Sequence, residues 1–310
     1  MTEPAALSHF RQRLAWDDLD ESTLRNLIHL AAEEDLNGVG LKAHPSRKGD
    51  QTTKALGVSG IGSAAIVARE SVVVCGLPLV PLVLEGFEVE NGSVQNAKAD
   101  GDEADAGETL TVVRGSASAL LAAERTLLNF LQRLCGIAAA AKAFVDALAG
   151  TPTALLDTRK TTPGFRALEK YASATGGFYN HRYGLHDRIL VKDNHLAARG
   201  ATEGESLAKA VTGAKATYPD LLMEVEVDHI GQIPPVLEAG TDAILLDNFS
   251  HEQVTEAVRE IGNQAVVEAS GGITLKTAAR YAEAGPHFLS TGAPVHKSSW
   301  ADLGLDWKED

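Results

Sequence analysis

Seven lysines and arginines crowd into residues 155–195 of a chain that is otherwise strongly acidic. They are Arg159, Lys160, Arg166, Lys170, Arg182, Arg188 and Lys192, and they share the segment with four acids and with His181, His186 and His195. Seven cations less four anions leave +3 with histidine neutral, against −14 for all 310 residues, so the remainder sums to −17. Cations this close repel one another unless an anion lies among them. The chemistry that fits is capture of a small polyanion.

The spacing within the island narrows this. DTRK at 157–160 ends an apolar run; Arg159 offers a planar fork for a carboxylate or phosphate, and Lys160 a point charge beside it. An internal ion pair between Arg159 and Asp157 would explain the same tetrapeptide. Asn180-His181-Arg182 follows Gly176-Gly177, whose missing side chains let backbone approach a ligand. Lys192 stands directly after the apolar run ILV, where it must be paired or meet an anion. His195, three residues on, could face a ligand or act as a donor that supports one from behind, and the supporting role is the better reading.

Carboxylates appear further along. Glu224, Glu226 and Asp228 alternate with Val225 and Val227, so a strand puts the acids on one face. Asp247 ends the next apolar run. Two carboxylates at neighbouring strand ends, Glu226 and Asp247, suit a hydrated Mg²⁺ or a developing cation; ion pairs to the basic island are the alternative. Ser270-Gly271-Gly272 and Thr291-Gly292-Ala293 are short turns after the last two runs, and turns of this kind offer backbone N–H groups to a phosphate. Together these groups describe a site for a terminal phosphate, a metal-bound diphosphate and a separate anionic acceptor. A phosphoribosyl diphosphate and a carboxylated ring meet that description.

The elements that must position these groups are legible in outline. From residue 151 on, short apolar runs alternate with helical stretches and each run ends in a polar residue or glycine, the rhythm of a parallel sheet. Six such units in about 150 residues predict a closed or nearly closed α/β barrel, with function at the C-terminal strand ends. Before it, the pattern predicts an amphipathic helix at 21–35 on Leu24, Leu27, Ile28 and Ala31, and a polar loop at 37–53. Strands follow at 63–70, 72–76, 86–90, 93–98 and 109–115, with a hairpin turn at Asn91-Gly92. Residues 117–149 are strongly helical, with a break expected at Gly136. The fold class is α/β: an N-terminal α+β domain, then a barrel. The cut is set at 125, giving 1–125 and 126–296, with the tail 297–310 packing on the first domain.

Composition excludes other classes. With 44% hydrophobic residues the chain can fill a normal core. The acidic balance argues against nucleic acid or an anionic membrane as partner. No apolar run approaches the ~20 residues of a membrane span. Cys75 and Cys135 stand far apart and suggest neither a disulfide framework nor zinc, which fits the cytoplasm.

The segments LLDTRKTTPGFRALEKYA, GGFYNHRYGLHDRILVKDNH, MEVEVD, ILLDNF, EASGGIT and STGA closely resemble the quinolinate phosphoribosyltransferases, in order from Glu34-Asp35 to Gly292. The resemblance implies a type II phosphoribosyltransferase fold, an α+β sandwich followed by the barrel, in a homodimer or larger assembly with active sites shared between protomers. It implies transfer of phosphoribosyl from 5-phosphoribosyl 1-diphosphate to quinolinate with loss of CO₂, and Mg²⁺ as cofactor. By motif, Arg159, His181 and Arg182 would bind the two quinolinate carboxylates, Lys192 would stand at the junction of quinolinate and the sugar diphosphate, Thr158 would bind substrate, and Lys160 would contact the diphosphate. Glu226 and Asp247 would hold the ribose and the metal, directly or through water. Ser270, Gly271, Gly272, Thr291, Gly292 and Ala293 would cradle the 5-phosphate. Arg125, which pattern alone assigns to solvent or to Glu124, would reach the partner's quinolinate site. Three departures stand out: Phe178 where a third glycine is usual, Pro294-Val295-His296-Lys297 where Leu-Thr-His-Ser is usual, and a longer loop carrying Arg47 and Lys48. A paralogue from a metal-uptake operon, a nicotinate phosphoribosyltransferase and a non-catalytic binder are the competing readings.

Overall fold

A computed structural model describes residues 3–43 and 45–308. His44, in the expected loop at 37–53, and the last two residues of the expected tail lie outside the described residues. The chain forms two compact units. One holds Leu14–Ala140, Ala167–Gly176 and the stretch from Ser298; the other holds the residues up to Arg13, Ala141–Arg166 and Gly177–Lys297. The division near the middle falls at 140 rather than 125, within the helix Ala117–Ala147, which runs unbroken for 31 residues.

The first unit contains β1 (Ile61–Ala68), β2 (Val72–Val73), β3 (Ser93–Asn96), β4 (Glu103–Ala104) and β5 (Thr109–Ser116). The second contains β6 (Ala154–Leu156), β7 (Ile189–Val191), β8 (Met223–Val227), β9 (Ala243–Asp247), β10 (Val266–Ser270) and β11 (Phe288–Ser290). The chain then returns to the first unit as β12 (Leu303–Lys308). The order β12-β1-β5-β3 makes a fully antiparallel four-stranded sheet, and β2 pairs with β4.

Helix Glu21–Asn37 starts where Asp20 accepts a hydrogen bond from Thr23 N and stops at Gly38 in the left-handed conformation. It buries Leu24, Ile28 and Ala32, flanked by half-buried Leu27 and Ala31. Asp35, near its end, accepts from the Thr126 hydroxyl at 2.9 Å and so fixes the long helix beside Arg125.

Two expectations fail in this unit for identifiable reasons. Residues 86–90 are not a strand. The chain forms the helix Leu79–Gly86 after Pro78, with Leu79, Val80, Leu82, Val83 and Leu84 all buried. With Glu85 as its one charged residue, the helix carries too little polar contrast for a period to be read. The Asn91-Gly92 turn therefore joins no hairpin, and β3 pairs with β5 instead. The helix also does not break at Gly136. A Cβ there would lie 2.1 Å from Ser299 O, so this glycine admits the returning backbone rather than ending a helix. Beside it Ala301 N donates to Gln132 O and Gln132 Nε2 donates to Leu303 O, which guides the tail into β12. Cys75 and Cys135, distant in sequence, meet in the core as free thiols, with Cys75 N donating to Cys135 Sγ at 3.3 Å.

The second unit is a parallel sheet of order β6-β11-β10-β9-β8-β7. Tyr179 adds a parallel bridge beside Leu156, next to β6, so the residues after it occupy the gap between the sheet's two edges. The barrel is thus nearly closed. Strand alternation sorts the side chains. Val225, Val227, Ile244, Leu246, Val267, Ala269 and Leu289 join the outer core. At the start of β9, β10 and β11, Ala243, Val266 and Phe288 pack on the short helix Leu7–Phe10. Phe10 is fully buried and stacks on Phe288 with centroids 5.7 Å apart, a plug that contributes about 1.5–3 kcal/mol by burial. Among the described residues no helix is long and apolar enough to cross a membrane.

Candidate active site

At the C-terminal end of the parallel strands lies a cavity of about 340 Å³. Four of the island's seven cations line it: Arg159, Lys160, Arg182 and Lys192. Thr158, His181, Glu226, Asp247 and Ser270 line it as well. Leu190, Leu245, Glu268 and Ser290, which the sequence motifs did not single out, complete the wall and floor.

Local bonds fix this arrangement. Asp157, at the end of β6, accepts from Asn180 Nδ2 and from His181 N, both at 2.7 Å. That locks Asn180-His181-Arg182 against the sheet, and all three are buried. Arg182 Nη1 donates to Arg188 O, tying the segment to the approach of β7. The Nε groups of Arg159 and Arg182 are buried and have no hydrogen-bond partner among the described residues. Burial and the nearby Arg159 push the Arg182 guanidinium below its ordinary value. Two arginines whose buried Nε donors are unsatisfied make a site shaped for anions.

Lys192 Nζ lies 2.5 Å from Glu226 Oε2. His195 Nδ1 accepts from Lys192 N at 2.9 Å, so this histidine supports the lysine's backbone. Burial raises Glu226 above its ordinary value; Lys192 pulls it back down and Asp247 adds to the rise. Two oxygen donors that repel across a cavity fit a hard, hydrated divalent cation.

The other island cations serve the fold. Arg188 is buried, with Nη1 3.1 Å from Glu224 Oε2 and its guanidinium 3.9 Å above the Phe10 ring. Arg166 donates to Thr161 Oγ1 and Tyr183 O. His181 uses both ring nitrogens inside the protein: Nδ1 accepts from Arg182 N at 2.8 Å and Nε2 lies 3.2 Å from Glu224 Oε2. A ring accepting an N–H at Nδ1 carries its proton on Nε2. His181, Glu224 and Glu268 form a buried trio with one ligand atom of each within 4.8 Å of the others. Arg188 already supplies the positive charge there, which disfavours a metal ion.

The glycine turns sit above the strand ends. Gly271 has φ +86°, and a Cβ there would lie 2.2 Å from Asn248 Oδ1, so no other residue fits. The Thr291 hydroxyl donates to Ile273 O and accepts from Ala293 N, joining the two turns. Gly271, Gly272, Thr291, Gly292 and Ala293 lie in these turns and do not line the cavity, which only Ser270 of the six reaches. Phe178 does not line it either: it is fully buried, edge-on to Phe144 at 6.1 Å. Val295 is likewise buried. Arg125 is exposed on the long helix, in the other unit.

Comparison with known proteins bears on both units. The quinolinate phosphoribosyl transferase N-terminal domain matches residues 50–149, and the C-terminal domain of the same enzyme matches 137–306. A nicotinate-nucleotide pyrophosphorylase (carboxylating) from Mycobacterium leprae is 40% identical over 294 residues, covering 93% of this chain and 99% of its own. The nicotinate-nucleotide pyrophosphorylase of Francisella tularensis has a TM-score of 0.83 at 31% identity, covering 94% of this chain and 98% of that one. The corresponding structure from Ehrlichia chaffeensis has a TM-score of 0.82 at 32% identity, covering 96% and 100%. Matched in both halves and nearly end to end, the chain belongs to the quinolinate phosphoribosyltransferase family.

Proposed function

We propose that this cavity is where the chain carries out its family's reaction: phosphoribosyl passes from 5-phosphoribosyl 1-diphosphate to quinolinate, giving nicotinate mononucleotide, CO₂ and diphosphate. The observation that carries the reading is the pair of buried, unpartnered guanidinium donors of Arg159 and Arg182, facing the same cavity as Glu226 and Asp247. A dicarboxylate satisfies the first pair and a ribosyl cation the second.

Arg159 and Arg182 hold the acceptor's carboxylates and orient its ring nitrogen toward the sugar carbon. Lys192 stands between the acceptor and Glu226, where it screens one negative group from the other. Lys160, exposed at the mouth, stabilises negative charge on the departing diphosphate. Glu226 and Asp247 would hold Mg²⁺, which when bound neutralises the diphosphate. Thr158 contributes a hydroxyl beside the arginines, and the turns at Ser270–Gly272 and Thr291–Ala293 receive the 5-phosphate. His181 acts through its neighbours, since its nitrogens are taken up by Arg182 N and Glu224. Arg125, exposed and remote in sequence, belongs to the site of a partner protomer in a homodimer.

The test is direct. Purified protein is given 5-phosphoribosyl 1-diphosphate and Mg²⁺ with either quinolinate or nicotinate, and mononucleotide and CO₂ are measured. Turnover with quinolinate alone is expected. Turnover with nicotinate alone would overturn the acceptor assignment, and binding without turnover would make the chain a sensor.

A further inference from the structure

The reaction leaves one proton unaccounted for. Bond formation between the ring nitrogen and the ribose makes a pyridinium. The bond from C2 to its carboxylate then breaks, CO₂ departs, and the electron pair stays on C2 as an ylide beside the positive nitrogen. Nicotinate mononucleotide carries hydrogen at that carbon, so a proton must arrive.

We infer that Glu268, on the cavity floor, is the acid that delivers it. The inference rests on reading the cavity as the quinolinate site. Glu268 lines the cavity from β10, and its side chain is 1% exposed. Both of its carboxyl oxygens are buried, with Glu224 and Ser290 as polar neighbours. Beside it lies Glu224, which is held as the carboxylate by Arg188 Nη1 at 3.1 Å and His181 Nε2 at 3.2 Å. Two buried carboxyls sharing one pocket cannot both ionise. Arg188 Nη1 reaches Glu224 at 3.1 Å, and His181 Nε2 lies closer to Glu224, at 3.2 Å, than to Glu268, at 3.6 Å, so the proton resides on Glu268. Burial and the Glu224 charge both push Glu268 well above the ordinary carboxylate range.

The other cavity groups are less suited. Arg159 and Arg182 do not give up protons. Lys192 is bound to Glu226, and Lys160 is exposed at the mouth. The His181 proton is directed at Glu224. A neutral acid on the floor also spares the dicarboxylate a repulsion, and the bound dianion keeps that acid protonated. In the step, the O–H bond of Glu268 breaks as the C2–carboxylate bond opens, the proton joins the C2 electron pair before CO₂ can recombine with it, and Glu268 is left as a carboxylate, so net CO₂ release waits on the proton. Water returns a proton to it before the next turnover.

The experiment is a single turnover with carboxyl-labelled quinolinate, comparing wild type with Glu268→Gln, while diphosphate and CO₂ are followed separately. The glutamine keeps the shape of the side chain and removes the transferable proton. Diphosphate release is expected to hold within about threefold and CO₂ release to fall by about 100-fold or more, the scale of a lost general acid, with the undecarboxylated nucleotide accumulating. CO₂ keeping pace with diphosphate in the variant would overturn the inference, and so would equal loss of both with substrate binding intact. If Glu268→Gln does not fold, wild type in D₂O decides: CO₂ release should slow while diphosphate release does not, and equal rates in both solvents overturn it. A wild type that releases no diphosphate with quinolinate would instead defeat the reading of the site.

Discussion

Replacing Arg188 with methionine isolates the buried charge beneath the cavity. Methionine keeps an apolar stem over Phe10 and deletes the guanidinium that lies 3.1 Å from Glu224 Oε2. Glu224 is fully buried and would retain His181 Nε2, at 3.2 Å, as a donor. A lone buried carboxylate costs about 3–5 kcal/mol. The alternative is to protonate it, at about 1.4 kcal/mol for each pH unit above its ordinary value. From the ordinary value of 4.5 that is about 4 kcal/mol near pH 7.5 and about 1.4 kcal/mol near pH 5.5. The cheaper route sets the ceiling. In the wild type, burial pushes Glu224 up, but His181 and Arg188 outweigh it and hold the group below its ordinary value. Its contribution then favours folding above about pH 4.5 and is lost as pH falls through the folded value. In the variant the folded value rises above 4.5, so the same group opposes folding as pH increases. Between pH 5.5 and 7.5 the wild-type contribution is already full, so the gap widens there through the variant alone. The expected penalty is larger near pH 7.5 than near pH 5.5 by about 2.7 kcal/mol, two pH units at about 1.4 kcal/mol each. Urea unfolding at the two pH values measures it. Far-UV circular dichroism is the probe, because Trp16, Trp300 and Trp307 all belong to the other unit. A penalty equal at both pH values, or below about 1 kcal/mol near pH 7.5, would refute the assignment of Arg188 to Glu224.

Two more perturbations separate fold from site. Phe178→Ala should cost about 3–5 kcal/mol in unfolding experiments, since the ring is fully buried against Phe144, and should leave KM for both substrates unchanged; a higher KM at unaltered stability would put the ring in the site. Mixing an Arg125→Ala chain with an Arg159→Ala chain should restore roughly a quarter of wild-type activity, because half the dimers are mixed and each mixed dimer has one intact site. No recovery after demonstrated subunit exchange would argue against a shared site.

The parallel half was legible because its rule is local. Each buried run ends where a ligand-facing residue begins, so β8, β9 and β10 could be placed from MEVEVD, ILLDN and VVEAS, and the inward face followed from alternation. The first unit was harder. Leu79–Gly86 is apolar at every position but Glu85 and Gly86, exposed Pro81 included, so its helical period leaves little trace in hydrophobicity. Gly136 looked like a helix breaker because glycine usually is one, and only the distant Ser299 carbonyl explains its presence within a continuous helix. The four-residue helix Leu7–Phe10 was invisible for a similar reason: its cause is Phe288, some 280 residues away in sequence.

The site shows a different limit. Counting charges found the basic island, but charge alone does not say which cations have partners. Arg188 and Arg159 look alike in sequence, yet one is consumed by Glu224 and the other holds a buried, unsatisfied donor at the cavity. The deciding residues are the carboxylates the cations face, and these come from strands far down the chain. Alternation places Glu224 and Glu226 on the same inward face, but one meets Arg188 and the other meets Lys192. Glu268 lies on the next strand but one, inside an apolar run, where a charge without a partner is costly enough to demand an explanation. Read with strand period, that misfit was the available sign of a group beneath the ligand. What the sequence could not supply is its protonation, which depends on Arg188 having already claimed the neighbouring carboxylate. The cations above the floor attract the dianion, and the proton below it keeps the floor from repelling it.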